Sequence, residues 1–291
     1  MDCNNGNIDL HIHSTASDGT LTPVEILAMA RDLKLAAIAI TDHDTIDGAK
    51  ELLAHGIPSD IQFLTGVEIS ASWPSNFYKT GSLHILGYGI KLNDHVLNQT
   101  LDALQKARKN RNPQIIKRLN NFGLEISMDD IIKEAGTDGQ IGRPHIAQVM
   151  IKKGFAASIN EVFEQYLGTG RPAYVDKYRV ECSEAIEIIC ASGGIPVLAH
   201  PVLMQMESKK HLEKFVVTLT EMGLKGIEVY YPEHTPENTA FYQSIAKKNG
   251  LMMTGGSDFH GSLKPTIKMG SGEGSLSVPY ELFEKLISAI Q

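Results

Sequence analysis

Cysteine is scarce and unpaired in this chain. Its 291 residues include three, Cys3, Cys182 and Cys190, which form no C-x-x-C pair and leave one over in any pairing. That argues against a disulfide framework and a thiolate zinc knuckle, and a reducing compartment is expected. No apolar run approaches the ~20 residues that a membrane span needs. The opening Met1-Asp2-Cys3-Asn4-Asn5 lacks the basic and apolar regions of a secretory signal, so the cytoplasm is the expected address and no membrane partner is expected. Positive charge is also in deficit: 27 Lys and Arg against 34 Asp and Glu give a formal net charge of −7. Duplex DNA is therefore not an expected partner, because non-specific binding relies on basic surface, although a local basic groove remains compatible with this balance. Internal repeats are missing, and no obligate protein partner is implied.

What is present is an alternation. Short apolar, β-rich runs at 8–13, 37–41, 62–69, 83–90, 195–199, 226–231 and 251–254 are separated by helical patterns at 23–33, 47–55, 183–191, 211–222 and 237–249. Buried strands alternating with helices predict βαβ units and a parallel sheet. Seven strands in this length favour a closed or nearly closed β/α barrel over a doubly wound sheet. Between about His95 and Arg171 the alternation gives way to helix after helix. The expected organisation is thus a barrel from 1–95 and 171–291, with an inserted helical subdomain at 96–170 covering its mouth.

The chemistry-bearing residues track the strand ends. Asp9-Leu10-His11-Ile12-His13 closes the first strand, and side chains two apart on a strand share a face, so His11 and His13 project together. In a parallel barrel the C-terminal strand ends are where sites form, and paired imidazoles there make half of a metal site. Thr41-Asp42-His43-Asp44 ends the second strand and Gly66-Val67-Glu68 the third; His84 lies on the fourth; Ala199-His200-Pro201 ends the fifth; Ser257-Asp258-Phe259-His260 follows the last. Histidines scattered over a surface would not follow strand ends in this way.

These motifs, with Ser17-Asp18-Gly19, resemble those of the PHP (polymerase and histidinol phosphatase) superfamily of metal-dependent phosphoesterases. The resemblance implies a distorted seven-stranded β/α barrel. Asp18-Gly19-Thr20-Leu21-Thr22-Pro23 and the helical insertion are similar to the branch acting on nucleoside 3′,5′-bisphosphates and on RNA 5′ ends. It also implies two or three divalent metals. His11, His13, Glu68 and Asp258 would hold the first; Glu68 would bridge to a second with His84 and His200; Asp18, His43 and His260 would hold a third. Nitrogen and oxygen donors without thiolate suit Mn²⁺, with Zn²⁺ or Fe²⁺ as alternatives. Clustered cations would generate a hydroxide nucleophile and clamp the phosphoryl oxygens. Asp42 is expected to orient a ligand imidazole, and Asp44 to cap the helix that follows.

Substrate contacts are expected elsewhere. Arg143, in Gly142-Arg143-Pro144-His145 at a helix start, is placed to hold a phosphate, with His145 beside it. His234 follows the sixth strand and is a candidate to bind phosphate or protonate the leaving oxygen. Asp258 is counted with it as catalytic, and Arg171 and Lys177 are weaker binding candidates. The run Lys106, Arg108, Lys109, Arg111, Lys117 and Arg118 reads first as a solvated helix face, and otherwise as an approach for an RNA backbone. The expected activity is hydrolysis of the 3′-phosphate of nucleoside 3′,5′-bisphosphates, with trimming of short 5′-phosphorylated RNA beside it. A histidinol-phosphate-type or general phosphomonoesterase, a metal-dependent amidohydrolase, and a non-catalytic nucleic-acid-binding or structural module are the alternatives.

Overall fold

The computed structural model describes residues 6–77, 81–135, 141–176 and 178–290; Lys177 and Tyr78 lie outside them. Its strands are β1 (Ile8–Ile12), β2 (Ala37–Ile40), β3 (Gln62–Ser72), β4 (Leu83–Tyr88), β5 (Val180–Glu181), β6 (Ile195–Leu198), β7 (Gly226–Tyr230) and β8 (Met252–Gly255). They pair in the order β1-β2-β3-β4-β6-β7-β8, with the two-residue β5 attached to the end of β3. The sheet curls until its edges meet. Ile12 bridges Phe259 just past β8, and the His13 N–H donates to the Phe259 carbonyl at 3.0 Å. This is the distorted seven-stranded β/α barrel that the motifs implied.

One strand departs from the parallel expectation. β4 runs antiparallel to both β3 and β6, because residues 73–82 return the chain directly from β3 without the crossover that parallel neighbours require. β4 therefore starts at the rim where the parallel strands end. His84, its second residue, pairs with Ser70 and so arrives at the same rim as the other imidazoles.

The helices are α1 (Pro23–Asp32), α2 (Asp47–His55), α3 (His95–Asn121), α4 (Met128–Ala135), α5 (Arg143–Lys152), α6 (Ile159–Val162), α7 (Cys182–Ala191), α8 (Lys209–Glu221), α9 (Pro236–Asn249) and α10 (Tyr280–Ile290). α1 starts on a capping box: the Thr22 hydroxyl accepts from the Glu25 N–H, and the Glu25 carboxylate accepts from the Thr22 N–H at 2.8 Å. That cap anchors the end of the loop carrying Asp18. On β1, Ile8 and Leu10 pack with Leu86, Val197, Leu282 and Leu286, leaving Asp9, His11 and His13 on the other face.

Between β4 and β5 the chain is helical, and a separate apolar cluster of Ile115, Leu119, Ile131, Ile146, Val149, Met150 and Leu167 holds that segment together. α3 belongs to both bodies. Leu97, Leu101 and Leu104 pack in the barrel cluster, and Ile115 and Leu119 in the helical one. No helix among the described residues is long and apolar enough to cross a membrane.

Closure of the barrel depends on Gly256, where a Cβ would overlap the backbone and Cβ of His11. Gly256→Ala should therefore destabilise the metal-free protein by at least about 2 kcal/mol, lowering its melting temperature by roughly 4 °C or more. An unchanged thermal transition would show that the strand edges yield without penalty.

Candidate metal centre

Nine side chains from seven stretches of chain converge on the rim. His11 and His13 come from β1 and its end, Asp18 from the loop before α1, and His43 from beyond β2. Glu68 and His84 lie within β3 and β4, His200 follows β6, and Asp258 and His260 follow β8. Glu68 is fully buried at their centre. Its Oε2 lies 3.4 Å from His11 Nε2, 3.2 Å from His13 Nε2 and 2.9 Å from His43 Nδ1. Its Oε1 lies 2.7 Å from His84 Nδ1 and 2.8 Å from His200 Nε2. Asp258 Oδ1 is 3.1 Å from His13 Nε2, and Asp18 Oδ1 is 3.4 Å from His260 Nε2.

Three groups here offer donor atoms all within 4.8 Å of one another: His11, His13, Glu68 and Asp258; His13, Asp18, His43 and His260; and His43, Glu68 and His84. His200 joins the last through Glu68 and lies 3.3 Å from His84. The first group is the set that the resemblance implies. The second adds His13 to the expected trio, because its ring stacks on His260 with centroids 4.1 Å apart.

The donor atoms themselves indicate what fits between them. His11 Nε2, His13 Nε2, Asp18 Oδ1, His43 Nδ1, Glu68 Oε2 and His200 Nδ1 are buried without a hydrogen-bond partner. Buried polar atoms are normally satisfied, and so many unpartnered nitrogen and oxygen atoms on the residues of one cluster suit cations. Burial pushes His84 down to about 3 and His260 to about 4, so both are neutral and ready to ligate near pH 7. Burial alone would also lower His13, but the adjacent carboxylates of Asp258 and Glu68 outweigh it and hold it at about 9. Without metal this contact stabilises the fold fully below the ordinary value of 6.5, and that contribution is lost as pH rises through about 9.

A second layer fixes these groups. Glu228, fully buried on β7, accepts from the His200 N–H at 2.7 Å and pairs with His11 Nδ1 at 2.9 Å. With Nδ1 protonated for that bond, His11 presents the bare Nε2 to the site. Asp258 Oδ2 accepts from Tyr231 at 3.0 Å and Lys264 at 2.7 Å, leaving Oδ1 toward the imidazoles. Asp9 accepts from the N–H and hydroxyl of Ser257.

Asp42 and Asp44 act differently from expectation. Asp42 accepts from Ser14 and Ser17, shaping the loop after β1, and makes no hydrogen bond to an imidazole. Asp44 does not cap α2, whose first turn follows Ile46 without a side-chain cap. Instead it accepts from Ser70 and Arg108.

Beside the cluster opens a cavity of about 180 Å³, lined by Asp18, His43 and His84 together with Arg108, Arg111, Arg143 and Arg179. Arg143, as expected, is in it. Its Nη1 donates to the Leu167 carbonyl at 2.8 Å, and its guanidinium lies 5.3 Å and 5.5 Å from the Phe163 and Tyr174 ring centroids. Arg108 and Arg111, 5% exposed, each bury an Nε with no partner. Burial and then the charges of Arg108 and Arg143 push Arg111 down to about 9, where it is still a cation at neutral pH.

These two arginines belong to the basic run expected to be a solvated helix face. Only Lys106, Lys109, Lys117 and Arg118 of that run face outward. A sequence signal for the other two existed: Arg108 and Arg111 continue the stripe Leu97, Leu101, Leu104, Ile115, Leu119, where apolar residues belong. Glu228 and Arg179 carried no comparable signal.

The remaining candidates separate. His145 is buried and its Nδ1 accepts from the Gly142 N–H at 3.1 Å, so it fixes the turn carrying Arg143 and is not among the residues lining the cavity. Arg171 is exposed and is not among the residues lining the cavity, whereas Arg179 is. His234 donates from Nδ1 to the Val229 carbonyl at 2.8 Å, which leaves Nε2 buried as a bare acceptor. Burial keeps that ring neutral, which suits accepting a substrate hydroxyl better than protonating a leaving oxygen. His55, His95 and His211 are exposed.

A barrel whose rim gathers buried imidazoles and carboxylates beside a cationic cavity has the layout of a metal-dependent phosphoesterase. Comparison with known proteins agrees. The PHP domain model matches residues 9–249. A 3′,5′-nucleoside bisphosphate phosphatase from Chromobacterium violaceum is 33% identical over 254 residues, 87% of each chain. The 5′-3′ exoribonuclease Rnm of Escherichia coli is 32% identical over 257 residues, 87% of this chain and 84% of that one. A structure of a proposed metal-dependent phosphoesterase from Bifidobacterium adolescentis superposes with a TM-score of 0.85 at 26% identity, covering 97% and 96% of the two chains. The chain belongs to the PHP family, and it is a metal-dependent phosphoesterase.

Two outcomes are expected. Glu228→Gln places an amide N–H opposite either His11 or the His200 amide, and should weaken metal binding about 10- to 100-fold with the fold retained, as read by metal content after dialysis. Because His13 carries a proton to about pH 9 in the metal-free site, Mn²⁺ binding at pH 7 should release about one proton or more. Affinity should then rise with pH from 7 toward 9. Calorimetry in buffers of different ionisation enthalpy measures the release, and buffer-independent heats would contradict it.

Proposed function

We propose that the protein hydrolyses the 3′-phosphate of nucleoside 3′,5′-bisphosphates, with one phosphate at the metal cluster and the other in the arginine cavity. The observation that carries this reading is the cavity itself. Three candidate metal-site residues and four arginines line the same cavity. Arg111 and Arg143 have no carboxylate ion pair among the described residues. A site for a single phosphate ester would not need that set of arginines. The named activity of the Chromobacterium violaceum relative supports the same substrate class.

In this reading His11, His13, Glu68 and Asp258 hold one divalent ion. Glu68, His84 and His200 hold a second, and Asp18, His43 and His260 a third, with Mn²⁺ the first choice and Zn²⁺ or Fe²⁺ the alternatives. When bound, such ions supply Lewis acidity toward the phosphoryl oxygens and activate water. The chain's own residues do the rest. Arg108, Arg111 and Arg143 orient the second phosphate, Arg179 widens the cationic wall, and His234 Nε2 accepts a hydrogen bond from the substrate. The helical segment, residues 96–170, closes over the rim as an inserted unit and limits access of bulk water.

Short 5′-phosphorylated RNA is a second reading. The exposed Lys106, Lys109 and Lys117 lie on the same helix that supplies Arg108 and Arg111, and the Escherichia coli relative's name favours it.

Phosphate release from adenosine 3′,5′-bisphosphate, AMP, histidinol phosphate and a short 5′-phosphorylated oligonucleotide tests both. The bisphosphate should be preferred over AMP. Arg111→Gln should raise its KM roughly 10- to 100-fold, the value of one or two charge-assisted hydrogen bonds, and alter the KM for AMP far less. Equal turnover of bisphosphate and AMP would remove the anchor from the argument.

A further inference from the structure

Asp44 is outside the candidate ligand set, yet it is among the most constrained residues of the rim. It is 1% exposed and its backbone is left-handed, with φ of 54°. Its amide donates to the Glu68 carbonyl at 3.0 Å. Its carboxylate accepts from the Ser70 amide at 2.7 Å, the Ser70 hydroxyl at 2.9 Å and Arg108 Nη2 at 2.5 Å. Its carbonyl accepts from Gln105 Nε2 at 3.1 Å. Gln105 and Arg108 are one turn apart on α3, so the helical segment holds the residue directly after His43.

His43 belongs to two of the three groups of candidate ligands. Its placement therefore affects two metal positions. A non-glycine residue in this conformation costs about 1–3 kcal/mol and persists only where its surroundings over-determine it. Without Arg108 the buried Asp44 carboxylate would lose an ion pair at 2.5 Å, a destabilising change. The turn could then relax and carry His43 Nδ1 away from Glu68.

We propose that Arg108 is a positioning residue of the metal centre: acting through Asp44, it fixes the turn that aims His43. The helical segment then completes the metal site as well as walling the substrate cavity. The proposal rests on the metal reading of the rim cluster and deepens it. Arg108 also lines the cavity, so one residue serves both sites. By linkage, an anion that steadies Arg108 should tighten metal binding, and metal should tighten anion binding by the same factor.

The test is Mn²⁺ binding to metal-free full-length protein, by calorimetry, with no substrate or phosphate present. Arg108→Gln and Asp44→Asn should each weaken the weakest Mn²⁺ site about tenfold or more. The double variant should be no worse than the poorer single, as expected for residues acting through one contact. Arg108→Lys, which keeps a cation for Asp44, should recover most of the loss.

If Arg108→Gln does not fold, Gln105→Ala and Arg108→Lys carry the comparison, with Gln105→Ala weakening the site roughly threefold. Wild-type Mn²⁺ binding in Arg108→Gln, or in Gln105→Ala if the former does not fold, would overturn the proposal. So would additive losses in the double variant. Failure of the bisphosphate reading is separately visible, as an Arg111→Gln variant with unchanged KM while the Mn²⁺ effects persist.

Discussion

A carboxylate with no exposed surface sits where five histidines meet, 2.7 to 3.4 Å from their ring nitrogens. An ionised group buried this deeply survives only if its charge is answered at short range. Burial alone would raise Glu68, yet the surrounding imidazoles, His43 first, hold it well below the usual carboxylate range. The demand propagates outward through the barrel. β3 must run eleven residues to deliver the carboxylate. β4 must turn back antiparallel to bring His84 to the same height, and β8 must close on β1 so that Asp258 reaches His13. The atoms that satisfy Glu68 with protons are also those that would satisfy it with cations, so the fold and the candidate metal centre answer one electrostatic requirement.

α3 shows how a second site is built from an ordinary helix stripe. Its buried face is apolar where it meets the barrel, at Leu101 and Leu104. It is apolar again where it meets the helical cluster, at Ile115 and Leu119, and between them the stripe is cationic. Two buried guanidiniums with partnerless Nε atoms are unfavourable in isolation. They are tolerable because Asp44 answers one of them and the cavity lets an anion answer the rest. Placing the cationic stretch at the junction of two apolar bodies also keeps it off the general surface, which explains how a chain with net charge −7 presents a concentrated positive wall.

Strand positions were legible in the sequence because β-rich apolar runs bounded by helices leave little choice, and six strands of the barrel path fall within two residues at each end of the expected spans. β3 runs three residues further, to Ser72, into a stretch whose small and polar residues carry no strand signal. The rim histidines were legible for a related reason: a polar residue at the end of a buried strand has to be explained. Direction was harder. Nothing in the periodicity of 83–90 distinguishes a strand reached by a crossover from one reached by a hairpin, so β4 was expected to be parallel. Residues that serve through a neighbour were harder still. Glu228 looks like any polar residue inside an apolar strand, and only the fold reveals that His11 and the His200 amide meet on its carboxylate. Asp44 precedes a helix and so suggests a cap; its partners, Ser70 and Arg108, lie 26 and 64 residues away.

Backbone conformation shows that the rim is anchored by more than its candidate ligands. Five non-glycine residues among those described have positive φ, and three are rim residues: Asp44, His200 and Asp258. Each is held by groups outside the candidate ligand set. Ser70 and Arg108 grip Asp44, Glu228 takes the His200 amide, and Tyr231 with Lys264 takes the outer oxygen of Asp258. Strain of about 1–3 kcal/mol per residue, offset by buried charge-assisted hydrogen bonds, means that binding need not order the rim. Metal affinity should therefore depend on the anchors almost as strongly as on the ligands themselves.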